Sequence, residues 1–414
     1  MNSRSITIKK ICKLNRETIR SNNHLDYINY LDTGNITRNK IDEIKKLVNG
    51  VDKIPSRAQR KVQKNTIIYS TVRPEQEHFG IIENPIDNLI ISTGFTTLDV
   101  IDETIDSKYL YYSLTNKIIT EYLNIIAANN VTSYPSLNPS DIGNLVFEIP
   151  IRKTDQQKIA KVLSDLDAKI ELNNKINTEL EAMAKTLYDY WFVQFDFPDA
   201  NGNPYKTSGA KMFWNEDLKR EIPEGWEVKE LDQILNTDLG GTPSTKIAKF
   251  WEGNIPWLNS GEIANFPIVE SEAHVTHEAI SNSATTLMPA GTCVLSITRH
   301  LRPSILAIDA CANQSVVGIF ESKKFKSSFI YPYLKNEIPR LMTLRSGAQQ
   351  PHINKGTLDE SLIIEPSQLI LDEYYKKAHP IYKKIINNSF QNKELASLRD
   401  WLLPMLMNGQ VTVS

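Results

Sequence analysis

The residues of this chain with the clearest chemistry are basic side chains suited to phosphate groups. Residues 56–74 contain no acidic residue and carry a run of cations: Arg57, Arg60, Lys61, Lys64 and Arg73. Such a segment can neutralise several phosphates, which would make binding sensitive to salt. Each residue taken singly is explained equally well as a solvated loop residue. Because a comparable set recurs later in the chain, the pattern favours nucleic-acid binding.

The second set follows the apolar run at residues 293–297. Its basic residues are Arg299, His300 and Arg302, and residues 345–350 (RSGAQQ) add a flexible turn with Arg345, Gln349 and Gln350. Arginine and glutamine side chains can make bidentate contacts to guanine and adenine edges respectively. These residues are therefore candidates for reading bases in a nucleic acid.

Residues 240–244 (GGTPS) form a marked loop. The two glycines would let the backbone approach a phosphate closely, and Thr242 and Ser244 supply hydroxyl groups. Taken alone, a turn containing proline is the commoner meaning of such a stretch. Thr242 and Ser244 are nevertheless candidate contacts to a nucleic acid.

No catalytic or cofactor-binding pattern accompanies these residues in the sequence. The phosphate-cradling patterns GxGxxG and GxxxxGK[ST] are absent, as is the GxSxG nucleophile pattern. His274 and His277 have half of a metal-ligand spacing, but no nearby cysteine completes a site, so a solvated turn is favoured. We expect a non-catalytic chain that has no metal ion or cofactor of its own.

Length and composition bound the remaining possibilities. The chain has 414 residues, so two to four domains are expected. It contains 47 Lys and Arg against 49 Asp and Glu, which excludes a uniformly basic surface. Its apolar stretches are too short to span a bilayer, and the amino terminus lacks the apolar core of a signal peptide. Three widely spaced cysteines suit reduced thiols, so a cytoplasmic protein is expected.

An internal duplication organises the elements that must position these residues. Five segments of the first half match five of the second in the same order: 27–36 with 254–263, 64–73 with 290–299, 106–116 with 326–336, 135–150 with 351–366, and 173–192 with 388–407. The separation drifts only from 227 to 215 residues, as expected if surface loops absorb the insertions. Two unrelated domains of similar composition are the alternative.

The matched segments 67–70 and 293–297 are both predicted to be buried strands.

Each half ends in a stretch that predicts a long helix. Neither glycine nor proline interrupts residues 154–197, and the apolar spacing continues in the second copy, although Pro380 there predicts a kink or break. Asparagines lie along both stretches and suggest a helix pair whose register they set. The alternative is two helices that each pack on their own domain. The residues predicted for the spacer helices and partner contacts are Leu166, Ile170, Leu180, Leu187, Trp191, Ile385, Leu395 and Leu402.

Three motifs resemble one known family, the specificity subunits of type I restriction–modification systems. GGTPS, followed by FWEG at 250–253 and IPWLNSGEI at 255–263, resembles the start of a target recognition domain. LRDWLLPMLMNGQV at 398–411 is similar to the carboxy-terminal signature of that family, and TDQQKIAKVLSDLDAKI at 154–170 resembles its central region. The first half departs from the pattern, because it lacks GGTPS and has LNRETIR at 14–20 instead.

The resemblance implies an α+β protein with two globular target recognition domains, each a mixed sheet with helices. The repeat, the long helical stretches and the turn-rich residues 199–209 place these domains at 1–150 and 221–366, long spacer helices at 151–197 and 367–414, and a linker at 198–220. The helices would pair antiparallel as a coiled coil with pseudo-two-fold symmetry and hold the domains apart. Each domain would read one half of a bipartite site in double-stranded DNA.

The resemblance also implies partners and a place in DNA methylation. The chain would bind two methyltransferase subunits, which use S-adenosylmethionine, and restriction subunits that use ATP in the full complex. It would itself do no chemistry. The competing interpretation is a non-catalytic adaptor, in which a coiled coil joins two protein-binding domains that have no role with DNA.

Overall fold

The computed structural model describes residues 2–19, 25–129, 135–347, 349 and 351–413. Its contacts divide the chain into two compact units, here called the first unit (1–168 with 395–414) and the second unit (169–394). Each unit combines sheets and helices, which agrees with the predicted α+β class. The division falls inside both long helices, so each unit contains a part of each helix.

The first unit contains the elements up to the start of the first long helix. Its strands are β1 (Ser3–Thr7), β2 (Cys12–Leu14), β3 (Tyr27–Leu31), β4 (Ile36–Thr37), β5 (Lys40–Ile41), β6 (Lys45–Val48), β7 (Ala58–Lys61), β8 (Thr66–Ser70), β9 (Phe79–Ile82), β10 (Leu89–Ser92), β11 (Phe95–Val100) and β12 (Val146–Pro150). Its helices are α1 (Ile8–Ile11), α2 (Ser107–Leu114), α3 (Lys117–Asn129), α4 (Pro139–Gly143) and the start of α5 (Lys153–Tyr188).

Two four-stranded sheets form the body of the first unit. One is antiparallel with the order β2-β11-β8-β9, and the other has the order β6-β3-β10-β7 with β3 and β10 parallel. Residues 66–70 (TIIYS) are rich in β-branched residues and are all buried, which confirms the strand predicted at 67–70. Strands β1 and β12 pair antiparallel just before α5 begins.

Gln156 fixes the beginning of α5 to the first unit. Its side chain is fully buried, donates from Nε2 to the carbonyl of Pro150 at 2.9 Å, and accepts at Oε1 from the amide of Asp106 at 2.8 Å. Ile159 and Leu163 follow on the same helix and lie in the core of the unit. The central motif therefore anchors the helix where it leaves the sheet.

The second unit contains the remaining elements. Its strands are β13 (Met212–Asn215), β14 (Arg220–Pro223), β15 (Glu227–Glu230), β16 (Thr237–Leu239), β17 (Ile255–Leu258), β18 (Ala273–Val275), β19 (Cys293–Ser296), β20 (Arg302–Ile305), β21 (Cys311–Ala312), β22 (Val316–Ile319) and β23 (Leu362–Glu365). Its helices are the end of α5, α6 (Leu231–Ile234), α7 (His277–Ser281), α8 (Ser327–Thr343), α9 (Lys355–Asp359) and most of α10 (Gln368–Met407).

An antiparallel sheet with the order β16-β22-β19-β20 forms the centre of the second unit. A second sheet has the order β18-β17-β21, in which β17 and β21 run parallel. Strands β15 and β23 pair antiparallel, with Glu227 opposite Glu365. All four residues of β19 are buried, so the strand predicted at 293–297 is confirmed.

The two long helices run antiparallel where they meet in the second unit. Asn173 is 1% exposed and donates to the side chains of Gln391 and Asn392 at 2.8 and 2.9 Å. One turn further on, the side-chain Oδ1 of Asn177 accepts from Nδ2 of Asn388, which is 2% exposed, at 2.9 Å. Residue numbers rise on one helix as they fall on the other. The asparagines predicted to set the register therefore do bond across the pair.

Helix α10 continues through Pro380, so the break predicted there is wrong. Proline removes one helical hydrogen bond and crowds the preceding turn. On either side of it, Ala378 and Tyr382 are buried in the core of the second unit, as is Ile385 one turn later. This packing holds the helix together across the proline. None of the helices in the described ranges is both long and apolar enough to cross a membrane.

The residues predicted for the spacer helices divide between the two cores. Trp191 and Ile385 are buried in the core of the second unit, with Leu180 and Leu187 packed against it. Leu402 packs against the core of the first unit. Trp191 also contacts the ring of Tyr374 on α10 at 5.7 Å. Three further residues of the predicted set are half-buried: Leu166, Ile170 and Leu395. Their role as partner contacts stays a prediction.

Candidate nucleic-acid interface

One edge of the β16-β22-β19-β20 sheet gathers most of the predicted contacts of the second unit. Val316 of β22 is opposite Ser296, the last residue of β19, which is also opposite Arg302, the first residue of β20. Leu239, the last residue of β16, is opposite Val317. We call these strand ends the second-unit edge. Its loops, at 240–244, 297–301 and 313–315, carry or adjoin the predicted contacts Thr242, Ser244, Arg299, His300 and Arg302, all exposed.

The two glycines of the GGTPS loop approach protein backbone. The amide of Gly240 donates to the carbonyl of Val316 at 2.9 Å, and that of Gly241 to the carbonyl of Ala312 at 2.8 Å. Both amides are thus engaged within the unit, and the phosphate contact expected from these glycines is not supported. Their lack of a side chain lets the loop lie directly on its neighbours.

Thr242 is the residue of this loop with a defined partner at the surface. Its hydroxyl donates to Oε1 of Gln314 at 2.5 Å, and both side chains are exposed. Ser244 is also exposed, and its carbonyl accepts from the indole of Trp251 at 3.3 Å. The GGTPS loop therefore presents two hydroxyl groups at the second-unit edge, and the neighbouring loop 313–315 adds the amide side chain of Gln314.

Arg345 supports the turn that carries Arg299. Its Nη1 donates to the carbonyl of Arg299 at 2.9 Å, and its Nε donates to the carbonyl of Met342 at 3.1 Å. Arg299 has a left-handed backbone with φ of 56°, and its amide donates to the carbonyl of Pro351 at 2.9 Å. Gln349 is exposed in the same loop, and Gln350 lies outside the described residues. Base reading by Arg345 and Gln349 stays a prediction.

We predict that replacing Arg345 with alanine weakens DNA binding, whether or not it also changes the preferred bases. The change removes one hydrogen bond to the carbonyl of Arg299 and one to the carbonyl of Met342. The cost is about 1–2 kcal/mol, or about 5- to 30-fold in affinity. Arg345→Lys should weaken binding as well, because lysine keeps the charge but lacks the planar fork. Selection from random duplexes measures both quantities. A changed base preference would also confirm base reading by Arg345, whereas unchanged affinity would contradict its supporting role.

A corresponding edge of the first unit gathers part of the basic segment. Ser70 ends β8 opposite Phe95, the first residue of β11, and we call these strand ends the first-unit edge. Arg60 donates from Nε to the carbonyl of Phe95 at 3.0 Å, while the carbonyl of Arg57 accepts from the amide of Thr93 at 2.8 Å. Arg73 is exposed in the loop that follows β8. Three of the five predicted cations thus lie at this edge.

The other two cations of that segment lie away from the first-unit edge. Lys61 is opposite Ile90 in the middle of β10, and Lys64 precedes β8 at the end distant from Arg73. A strand of five residues separates these ends by about 16 Å. The segment therefore does not form one continuous patch, because β8 carries the chain across the unit.

Tyr30 and Asp32 form a polar pair near the charges of the first-unit edge, and the sequence did not single them out. The hydroxyl of Tyr30 donates to Asp32 at 3.1 Å, just after β3. Burial raises the pKa of Tyr30, while the nearby charge of Arg57 acts in the opposite direction. Burial also lowers the pKa of Arg60, whose side chain is half-buried. Arg60 therefore combines a structural bond with its charge, whereas Arg57 is exposed.

Sequence reasoning missed Gln314, which lies after the short strand β21. Strands β17 and β21 are parallel, so their carboxyl ends meet, and the amide of Asn313 donates to the carbonyl of Leu258 at 2.9 Å. Polar residues directly after two such strands were the available signal. It was hidden because β21 has only two residues and gives no periodicity.

The structure offers no thiol suited to nucleophilic chemistry. Burial raises the pKa of Cys12 to about 12 and that of Cys311 to about 11, and it raises the pKa of Cys293 as well. These thiols stay protonated at neutral pH. Within the described parts of the chain, no group of three or more His, Cys, Asp or Glu residues could hold a metal ion.

Comparison with known proteins gives consistent matches along nearly the whole chain. The family model described as the type I restriction modification DNA specificity domain matches residues 2–182 and again 223–389. The HindI specificity subunit of Haemophilus influenzae is 27% identical, over 92% of this chain and 94% of that protein. The MjaIX specificity subunit of Methanocaldococcus jannaschii is 29% identical, over 84% and 78%. The S subunit structure from M. genitalium shares the fold, with a TM-score of 0.56, 16% identity and coverage of 98% and 96%.

Proposed function

Because this chain belongs to the type I restriction–modification DNA specificity family, we propose that it reads its DNA target in two parts, one with each unit. The resemblance seen in the sequence is thereby confirmed, and the chain is a DNA specificity subunit. The bipartite target and the division of labour between the units are the finer proposal. The observation that carries it is the matching arrangement of strands in the two units.

The strand orders of the two units correspond. The sheet order β2-β11-β8-β9 corresponds to β16-β22-β19-β20, and the parallel pair of β3 and β10 corresponds to that of β17 and β21. In both units, an antiparallel strand pair precedes a long helix: β1 with β12 before α5, and β15 with β23 before α10. The family model also matches twice. These correspondences support an internal duplication with target recognition domains at 1–150 and 221–366.

We propose that the long helices act as a spacer between the two recognition domains. Helix α5 has 36 residues and α10 has 40, which correspond to about 54 and 60 Å. Bonds between asparagines support an antiparallel coiled coil with a fixed register. The spacer would comprise 151–197 and 367–414, with 198–220 as the linker. A rigid spacer determines which separation of half-sites is allowed.

The proposed partners are two methyltransferase subunits and, in the complete complex, restriction subunits. We propose that S-adenosylmethionine and ATP bind to those subunits and that this chain does no chemistry itself. The related proteins are named as specificity subunits of restriction enzymes, which supports this assignment. Against the adaptor alternative, both edges present exposed arginines, and the second-unit edge adds exposed hydroxyls, as suits contacts to phosphates and bases.

Exchange of one recognition domain tests this proposal. Residues 221–366 of the chain would be replaced by the corresponding domain of another specificity subunit. Strand β15 near the start of that segment pairs with β23 at its end, so the two junctions lie close together. We expect the exchange to change only one half of the selected DNA site. Binding of the full chain, with its methyltransferase partner, to random duplexes gives both halves in one measurement.

The reciprocal exchange of residues 1–150 is the matched control and should change only the other half. A change of both halves after either exchange would contradict the modular proposal. Affinity that does not depend on salt, or the absence of any enriched two-part site, would favour the adaptor instead.

A further inference from the structure

We propose that Gln314 reads an adenine in the half-site of the second unit, and that Thr242 orients Gln314 for this contact. This inference rests on the proposed function and names a specificity-determining residue within it. Gln314 is exposed at the second-unit edge and lies between the loops that carry Thr242 and Arg299. Its place there follows from three features of the fold.

The first feature is a rigid loop beneath Gln314. The amide of Asn313 donates to the carbonyl of Leu258 at 2.9 Å, and Oδ1 of Asn313 accepts from the amide of Ser315 at 3.0 Å. The carbonyl of Ser315 accepts in turn from Ile297 at the end of β19, at 2.9 Å. Both neighbours of Gln314 are thereby fixed to separate strands. A reader built on such a loop loses little conformational entropy on binding.

The second feature is the fixed position of Thr242. The preceding residue, Gly241, accepts at its carbonyl from the indole of Trp257 at 3.0 Å and from the hydroxyl of Thr285 at 2.6 Å. Its amide also donates to Ala312, two residues before Gln314. The backbone next to Thr242 is thus held on three sides. Its hydroxyl donates to Gln314 from a defined position.

The third feature is the hydrogen-bonding capacity left on the amide of Gln314. A carbonyl oxygen has two lone pairs, so Oε1 can accept a second hydrogen bond besides that from Thr242. The two N–H groups of Nε2 remain as donors. In the major groove, adenine offers an N6 donor beside an N7 acceptor, which this amide matches. Guanine offers two acceptors there, so it would leave Oε1 facing another oxygen.

Selection from random duplexes tests this inference, with the full chain and its methyltransferase partner. The wild-type chain should require adenine at one position of the half-site assigned to the second unit by domain exchange. Gln314→Ala should reduce that preference by about 10- to 100-fold and leave the other half-site unchanged. Gln314→Glu should favour cytosine at the same position, because a carboxylate accepts from cytosine N4.

Thr242 is tested as a positioning residue. Thr242→Val should broaden the preference at the position read by Gln314, whereas Thr242→Ser keeps the hydroxyl and should restore it. Gln368→Ala is a matched control, because Gln368 is exposed in the same unit and its side chain donates to Asp372 on its own helix. It should leave the selected site unchanged. Thermal unfolding of each variant should match the wild-type chain, since Thr242 and Gln314 are both exposed.

The outcomes separate this inference from the proposed function. A wild-type chain that selects no two-part site would overturn the proposed function and this inference with it. A two-part site that is identical for the wild-type chain and Gln314→Ala would overturn only the inference. A Thr242→Val variant that keeps the full adenine preference would remove the orienting role of Thr242 alone.

Discussion

Gly240→Ala is expected to lower the stability of the second unit by about 3 kcal/mol and to abolish reading of its half-site. A β-carbon at this position would lie 2.3 Å from the carbonyl oxygen of Asn313 and 2.5 Å from that of Ala312. Both are backbone atoms fixed in a sheet and its following loop, so they cannot move aside at low cost. Overpacking of this kind typically costs 1–3 kcal/mol and occasionally more. The strain would displace the loop that carries Gln314.

Two measurements check this expectation in the full chain. The thermal midpoint of the second unit should fall by about 6–12 °C, given about 2–4 °C for each kcal/mol in a unit of this size. DNA selection should retain the half-site of the first unit and lose that of the second. Gly34→Ala is the control for stability, because no atom lies within 4 Å of its β-carbon position. An unchanged thermal midpoint for Gly240→Ala would contradict the close packing of this loop.

The GGTPS loop shows how far sequence reasoning reaches. Its composition correctly indicated a turn at which the backbone comes close to something, since glycine is required for close approach. The sequence could not show that this neighbour is Asn313, 73 residues later in the chain. Such a contact depends on strand order, which local propensity does not encode. The loop was therefore found, while its partner was taken to be a phosphate.

The long helices were predicted well because their hydrophobic periodicity is a local property of the sequence. The apolar positions of α5 recur over ten helical turns, so the sequence alone indicates a helix, and the tertiary contacts are consistent with it. Asn173 and Asn177 stood out because a polar residue in an apolar stripe requires a partner. The break expected at Pro380 was wrong because packing by Tyr382 and its neighbours outweighs the local preference of proline.

The predicted contacts illustrate a third case, in which the residue type was informative and the arrangement was not. Arg60 and Arg345 were both chosen for their charge, yet each also bonds a backbone carbonyl and supports a loop. Lys64 belongs to the same basic segment as Arg73 but lies at the other end of β8. A run of cations in sequence becomes one patch only if no strand separates its members. The fold, and not the composition, decides this.

A paired deletion in the two long helices is expected to shorten the allowed DNA spacer by one to two base pairs. The deletion removes residues 173–176 from α5 and the opposing residues 388–391 from α10. Four residues correspond to about 6 Å of helix, against about 3.4 Å for each base pair. The deletion removes Asn173 and Asn388, so both original asparagine pairs are lost, and it brings Asn177 opposite Asn392, where one new pair can form. The apolar contacts on either side of the deletion keep their partners.

The single deletion of residues 173–176 is the informative comparison. It shifts Asn177 by four residues relative to Asn388, so the buried side chain of Asn388 loses Oδ1 of Asn177 as its acceptor. An unsatisfied buried polar group costs about 1–3 kcal/mol. We expect this variant to lose assembly or stability where the paired deletion keeps both. Removal of four exposed residues from the turn at 200–203 is the control for length and should leave the spacer unchanged. If the paired deletion folds, binds DNA and keeps the wild-type spacing, the helices do not act as a ruler, and the spacing must be set within the recognition domains.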